Sequence, residues 1–201
     1  MKIYLVRHGE TEYNRTKRIM GQMSTPMNEK GIKQAEILAD ALQNRQIKAI
    51  HSSDLKRATQ TSDIISSKLD LPFETHEELR EHGVGNLEGV TWADEFEDMT
   101  LQEFDKLMAK EGGERTDVFV ERVWDKFLEI IKQYEQEDTI LIVTHGGCIR
   151  VIIMKIMQTD EEIFNILKQD NCCINIVHYH KDKEKHKFQI EIINDCSHMK
   201  K

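Results

Sequence analysis

"TILIVT", residues Thr139–Thr144, is the stretch whose reading decides the fold. It is apolar nearly throughout and lacks the in–out alternation of a strand with one face in water. Such a run marks a strand covered on both faces, the position of a central strand in a parallel sheet. A polar turn follows at once, His145-Gly146-Gly147, and then the apolar "CIRVIIMKIM", which reads as a helix.

The same succession recurs outward from it. "KIYLVR" is a short buried strand that stops at Arg7-His8-Gly9. Asn28 is placed to cap a helix running to about Asn44, with Ile32, Ala35, Leu38, Ala39 and Leu42 on its inward face. "IKAIHS" is a second strand; it ends in Ser52-Ser53-Asp54-Leu55-Lys56-Arg57 and leads into a helix over Leu55–Leu69. A turn at Leu71-Pro72 precedes an extended piece near Phe73–Thr75. Thr116–Tyr134 is amphipathic, with Phe119, Val120, Val123, Phe127, Ile130 and Ile131 inward. "CCINIVHYH" and "KFQIEII" read as two closing strands around a mixed-charge tip at 181–187. Alternating strands and helices predict an α/β three-layer sandwich with a mainly parallel central sheet flanked by helices. The expectation is a single domain over residues 1–201, with an acidic, helical, lid-like insertion at about 91–115.

Composition narrows the function classes. Of 201 residues, 39% are hydrophobic and 32% charged, a globular balance. A net charge of −8 argues against sequence-independent nucleic-acid binding. No apolar run approaches the ~20 residues of a membrane span, and the N-terminus lacks a signal-peptide pattern. Cys148, Cys172, Cys173 and Cys196 show no C-x-x-C spacing, so reduced thiols and a cytoplasmic location are expected, without a cysteine-based zinc site. Nothing in the sequence fixes the oligomeric state.

Ligands of open α/β sheets bind beyond the carboxyl ends of the strands. Three polar clusters fall at such ends: Arg7-His8-Gly9, Ser52 to Arg57, and His145-Gly146-Gly147. Two guanidiniums can fork onto phosphoryl oxygens. A helix N-terminus behind Gly146 offers N–H groups to the same anion. A neutral imidazole beside that anion can attack phosphorus and form a phospho-enzyme. Asn14 is placed to add an amide donor. Arg15, Lys17 and Arg18 are surface charge or an aid to anion capture, and Arg150 reads as a structural ion-pair residue.

Four blocks, "LVRHGETEYN", "SSDLKRATQT", "LREHGVGNLEG" and "VTHGGCIR", resemble in order the signature blocks of the histidine phosphatase superfamily, in its phosphoglycerate-mutase-like branch. The resemblance spans residue 5 to about 150. It implies a phosphomonoesterase acting on a small phosphorylated metabolite, with His8 as the phosphorylated nucleophile. It implies Arg7, Arg57 and a cationic His145 as the phosphate grip, and Glu81 as the proton donor that later serves as base. Asn14, Gly21 and Gly146 match phosphate- or substrate-contacting positions. On composition alone Glu77, Glu78 or Glu88 would serve as well as Glu81; the resemblance selects Glu81. No metal or other cofactor is implied. Two positions depart from the family pattern: Met20, before Gly21, cannot donate a hydrogen bond, and Ser24 replaces an aspartate. His82 is a possible substrate contact, and His51 and His76 have no role in this reading.

Two alternatives are a cofactor-dependent phosphoglycerate mutase and a non-catalytic phospho-ligand binder. Against the mutase, 63 residues separate Glu81 from His145, whereas the mutases this chain resembles carry a longer insertion there. Between His82 and Arg115 nine acids face three bases, a net of −6, which disfavours a second phosphate.

Overall fold

The computed structural model describes residues 1–91, 99–159 and 166–200. The central strand is the predicted one: β4 (Thr139–Thr144) lies between β1 (Lys2–Arg7) and β2 (Ala49–Ser53), parallel to both. With β3 (Phe73–His76), β5 (Ile174–Tyr179) and β6 (Phe188–Asp195) they form one sheet of order β3-β2-β4-β1-β5-β6. The first four of these are mutually parallel; β5 runs antiparallel to β1, and β6 antiparallel to β5.

Both faces of the central strands are buried, which is why their sequences do not alternate. Ile3, Leu5, Ile140 and Ile142 pack against α5 (Thr116–Lys132) and α6 (Gly146–Met157). Tyr4, Val6, Leu141 and Val143 pack against α2 (Glu29–Leu42) and α3 (Lys56–Leu69). All six predicted inward residues of α5 are buried. On α2 the reading needs one correction, because Ile32 is 39% exposed. Gly31 takes the inward position of that first turn instead, since an added Cβ there would stand 2.1 Å from the Glu10 carbonyl oxygen. Asn28 caps α2 as expected, Oδ1 accepting from Gly31 N at 2.8 Å, and the helix stops at Leu42.

The short helix α1 (Glu12–Arg15) follows β1, and α4 (Leu101–Glu111) begins at a Thr100–Glu103 capping box. Met108 of α4 packs with Val84 and Leu87, and Phe104, Leu107 and Ile19 surround them. Of the predicted lid-like insertion, residues 92–98 lie outside the described residues. All four cysteines are free thiols. Among the described residues no helix is long and apolar enough to cross a membrane.

The register puts Arg7 opposite Thr144, Ser52 opposite Val143, and Ser53 opposite His76. The carboxyl ends of β1, β2, β3 and β4 therefore share one edge. The loop into β5 reaches that edge too, with Cys172 N donating to Arg7 O at 3.0 Å.

Candidate active site

His8 continues β1 past the edge of the sheet and is buried. Gly9 follows because a side chain would not fit: its Cβ would come within 2.5 Å of both Gly31 O and Met27 Sδ. The His8 ring is fixed by a 2.8 Å contact between Nδ1 and the Gly9 carbonyl oxygen. A carbonyl only accepts, so Nδ1 carries the proton and Nε2 keeps its lone pair. Burial, then the Arg57 and Arg7 cations, push the His8 pKa well below the usual histidine range. A neutral imidazole with a defined bare nitrogen is the form a nucleophile needs.

Arg7 and Arg57 approach from two strand ends. Arg7 Nη1 donates to Gln169 O at 2.5 Å. Among the described residues its Nε is a buried donor without a hydrogen-bond partner, a costly condition unless an anion meets it. A Cβ on Gly146 would stand 3.6 Å from that Nε, so α6 begins directly under the Arg7 guanidinium. Arg57 is wholly buried; Nη2 donates to Gly21 O and Nη1 to Met23 O, both at 2.8 Å. Burial pulls its pKa down to about 10, which leaves it cationic at neutral pH. Gly21 thus contributes its carbonyl as a brace for Arg57; its φ of +50° favours glycine, and a Cβ there would stand 2.6 Å from Val84 Cγ2.

His145 is held by partners at both ring nitrogens. Arg57 Nε donates to its Nδ1 at 3.2 Å, and its Nε2 lies 2.8 Å from Ser53 Oγ. The first contact makes Nδ1 an acceptor, so the proton sits on Nε2 and is given to Ser53. Burial, reinforced by Arg57 and His8, pushes the His145 pKa well below the usual range. These contacts suit the neutral ring in the free site. Its centroid is 5.2 Å from that of His8.

Glu81 reaches the same edge through a clasp between two of the sequence blocks. Arg80 donates to Asp54 with both Nε (2.8 Å) and Nη2. The Glu81 carboxylate accepts from His82 N and from Gly147 N, each at 3.0 Å. Gly147 is glycine because a Cβ there would fall 2.1 Å from Glu81 Oε1. One N–H at the start of α6 is therefore spent on Glu81, not on a bound anion. Arg122 of α5 holds this segment from behind, donating to the carbonyls of Glu78 (2.7 Å) and Arg80 (3.0 Å) and pairing with Glu114 at 2.7 Å.

Asn14 has two duties. It completes a capping box with Thr11, and its Oδ1 accepts from Thr11 N at 3.1 Å and Asn171 Nδ2 at 3.2 Å. Its Nδ2 is the atom left to donate. Met20 Sδ receives Thr11 Oγ1 at 3.1 Å. His82 Nε2 donates to Glu114 O at 2.8 Å, and its ring stacks on Phe119 at 4.6 Å. Arg15 pairs with Glu12, Arg18 Nη1 donates to Gly89 O at 3.3 Å, and Arg150 Nε to Leu167 O at 2.6 Å.

The sequence reading missed Ser53, Asn171 and Arg122. Ser53 lay inside a quoted block without a role. Asn171, which also donates to His8 O at 3.0 Å, enters from a loop 163 residues away in sequence. Of the acids counted in residues 82–115, Asp94, Glu95, Glu97 and Asp98 lie outside the described residues, and others have partners. Glu88 accepts from Gln22 N, Glu103 caps α4, and Glu114 is paired with Arg122.

Comparison with known proteins agrees with this geometry. The family model of the histidine phosphatase superfamily (branch 1) matches residues 3–192. The chain is 36% identical to a metal-independent phosphoserine phosphatase of Arabidopsis thaliana, over 98% of this chain and 83% of the relative. It is 29% identical to a broad-specificity phosphatase of Saccharomyces cerevisiae, over 99% of this chain and 87% of that protein. The solved structure of Bacillus stearothermophilus YhfR superposes with a TM-score of 0.84 at 29% identity, covering 98% of each chain. The chain belongs to the histidine phosphatase superfamily, branch 1. It is a phosphomonoesterase that works through a phosphohistidine.

Proposed function

We propose that His8 is the nitrogen nucleophile and Glu81 the acid and base, acting on a small phosphorylated metabolite. The observation that carries this is the His8 ring itself: buried near two arginine cations and locked by its Nδ1 contact so that the lone pair lies on Nε2. In the first step Nε2 attacks phosphorus in line. The P–O bond to the substrate breaks, and protonated Glu81 gives its proton to the departing alkoxide. Glu81, now a carboxylate, takes a proton from water as that water attacks the phosphohistidine. Inorganic phosphate leaves and His8 is regenerated. Arg7, Arg57, His145, Asn14 and the backbone at Gly146 bind the phosphoryl oxygens, and Gly21 braces Arg57. Neutral His145 donates to Ser53 in the free enzyme; gaining a proton as the dianion binds would turn it into a further cation.

Phosphoserine is the first substrate to test, because the Arabidopsis relative carries that activity in its name. Residues 1–201 act as one catalytic unit in this reading, with 91–115 as its cover. A reducing, cytoplasmic setting suits the four free thiols. Nucleic acid and membrane are not among the proposed partners, given the net charge of −8.

The test offers phosphoserine, 3-phosphoglycerate and a panel of sugar phosphates at matched concentration and measures free phosphate. The expected result is multiple-turnover release from at least one of them, undiminished by chelator. Adding 2,3-bisphosphoglycerate to 3-phosphoglycerate distinguishes the mutase. Interconversion to 2-phosphoglycerate much faster than phosphate release would overturn the phosphatase reading.

A further inference from the structure

Two buried histidines take no part in the chemistry above. His51 on β2 and His76 at the end of β3 lie on the face of the sheet that α5 covers, with Tyr134 just beyond that helix. The parallel register pairs His51 with Glu74 and Ser53 with His76, so all four side chains leave the same face. His51 Nδ1 is 2.9 Å from His76 Nε2 and 4.0 Å from Glu74 Oε2. The three donor atoms lie within 4.8 Å of one another. The other nitrogen of His51 is 2.7 Å from Tyr134 Oη.

We propose that His51 Nδ1, His76 Nε2 and the Glu74 carboxylate form a binding site for one borderline divalent metal ion, zinc being the best match, at the β2–β3 edge. A tetrahedral zinc ion with bonds of about 2.0–2.1 Å holds its ligand atoms about 3.3 Å apart. The two nitrogens need to open by only a few tenths of an ångström, and the carboxylate to close by somewhat more. Glu74 has the freedom to do so, with 67% of its side chain exposed, and it provides the entrance through which the ion and a water as fourth ligand arrive.

The protons balance without release. Two neutral imidazoles share one hydrogen bond, so one of them holds its proton on the atom that must ligate. That proton passes to the other nitrogen of the same ring. If the ring is His51, Tyr134 Oη turns from donor to acceptor and fixes the new tautomer, as outer partners of metal-bound histidines do. Two imidazoles and a carboxylate suit zinc, cobalt or nickel; magnesium and calcium want oxygen ligands throughout.

The site is separate from the reaction centre but linked to it. Ser53, two residues after His51, holds His145, and His76 precedes Glu81 by one short helical turn, Glu77–Leu79. A bound ion ties the last residue of β3 to β2 and so fixes the start of the segment that carries Glu81. It adds rigidity, not chemistry, so hydrolysis continues without it.

The test uses the full chain, stripped with chelator and dialysed, then titrated with zinc by calorimetry and with cobalt by visible absorption. Expected are one equivalent per chain, a raised Tm, and cobalt bands of tetrahedral type. H8A should bind equally well. H76Q should lose the site, and E74Q, which alters an exposed residue and leaves the fold intact by circular dichroism, should bind roughly tenfold or more weakly. No stoichiometric uptake, uptake unchanged in both E74Q and H76Q, or uptake lost in H8A would overturn the proposal; the last would put the ion in the phosphate pocket.

Discussion

At the scale of single residues, the division of labour rests on which atoms already have partners. Among the described residues His8 has Nδ1 committed to a carbonyl and no partner on Nε2, whereas both His145 nitrogens are engaged. Two similar rings 5.2 Å apart thus differ in availability, and the proposed nucleophile is the one whose second nitrogen is uncommitted. Glu81 is held at both carboxyl oxygens by backbone N–H groups, which aim it. Glu81→Gln keeps these contacts on one oxygen and loses the transferable proton. Turnover of an alkyl phosphate should fall by roughly 10²–10⁴-fold. The fall should be much smaller with nitrophenyl phosphate, whose leaving group needs little protonation. Equal losses on the two substrates would mean that another group is the acid.

At the scale of elements, the start of α6 is the most constrained junction. Gly147 leaves room for the Glu81 carboxylate, and a methyl group there would stand 2.1 Å from Oε1 and 3.2 Å from Phe119 Cζ. Gly147→Ala should therefore yield a folded protein with a displaced acid and roughly 10²-fold lower activity on alkyl esters. Steady-state kinetics on the same alkyl and aryl pair checks this; an alkyl rate near wild type would refute the packing argument. The strands and most helices were legible in the sequence because burial on two faces or one leaves a plain pattern. "TILIVT" could hardly be anything but central, and Asn28 announces its helix. The orientation of Ile32 was not legible, since the first turn of α2 is decided by how closely Gly31 approaches Glu10. The partners of His145 were not legible either, because only the fold brings Ser53 and Arg57 to it. Arg122 looks in sequence like any cation on an amphipathic helix; its bonds to the carbonyls of Glu78 and Arg80 exist only once α5 packs behind that segment.

At the scale of the whole molecule, the buried histidines set the pH range of the fold. His8, His145, His51 and His76 all have pKa values lowered by burial, His51 to about 4. Below pH 6.5 the unfolded chain binds protons at these positions that the folded chain refuses. Stability should therefore be full above about pH 6.5 and fall as the pH drops from there toward 4. The paired carboxylates, with lowered pKa values, add their own loss only below about 4.5. Thermal melts at constant ionic strength check the window; a Tm flat between pH 7 and 5 would contradict it. The central claim is that phosphate passes through His8, and one measurement addresses it most directly. The enzyme is mixed with phosphorus-labelled substrate, quenched in alkaline detergent within one turnover, digested and mapped. The account predicts label on the peptide carrying His8, stable in alkali and lost in acid, and neither label nor turnover in His8→Ala. Label on any other residue, or turnover by His8→Ala at more than a small fraction of wild type, would contradict it.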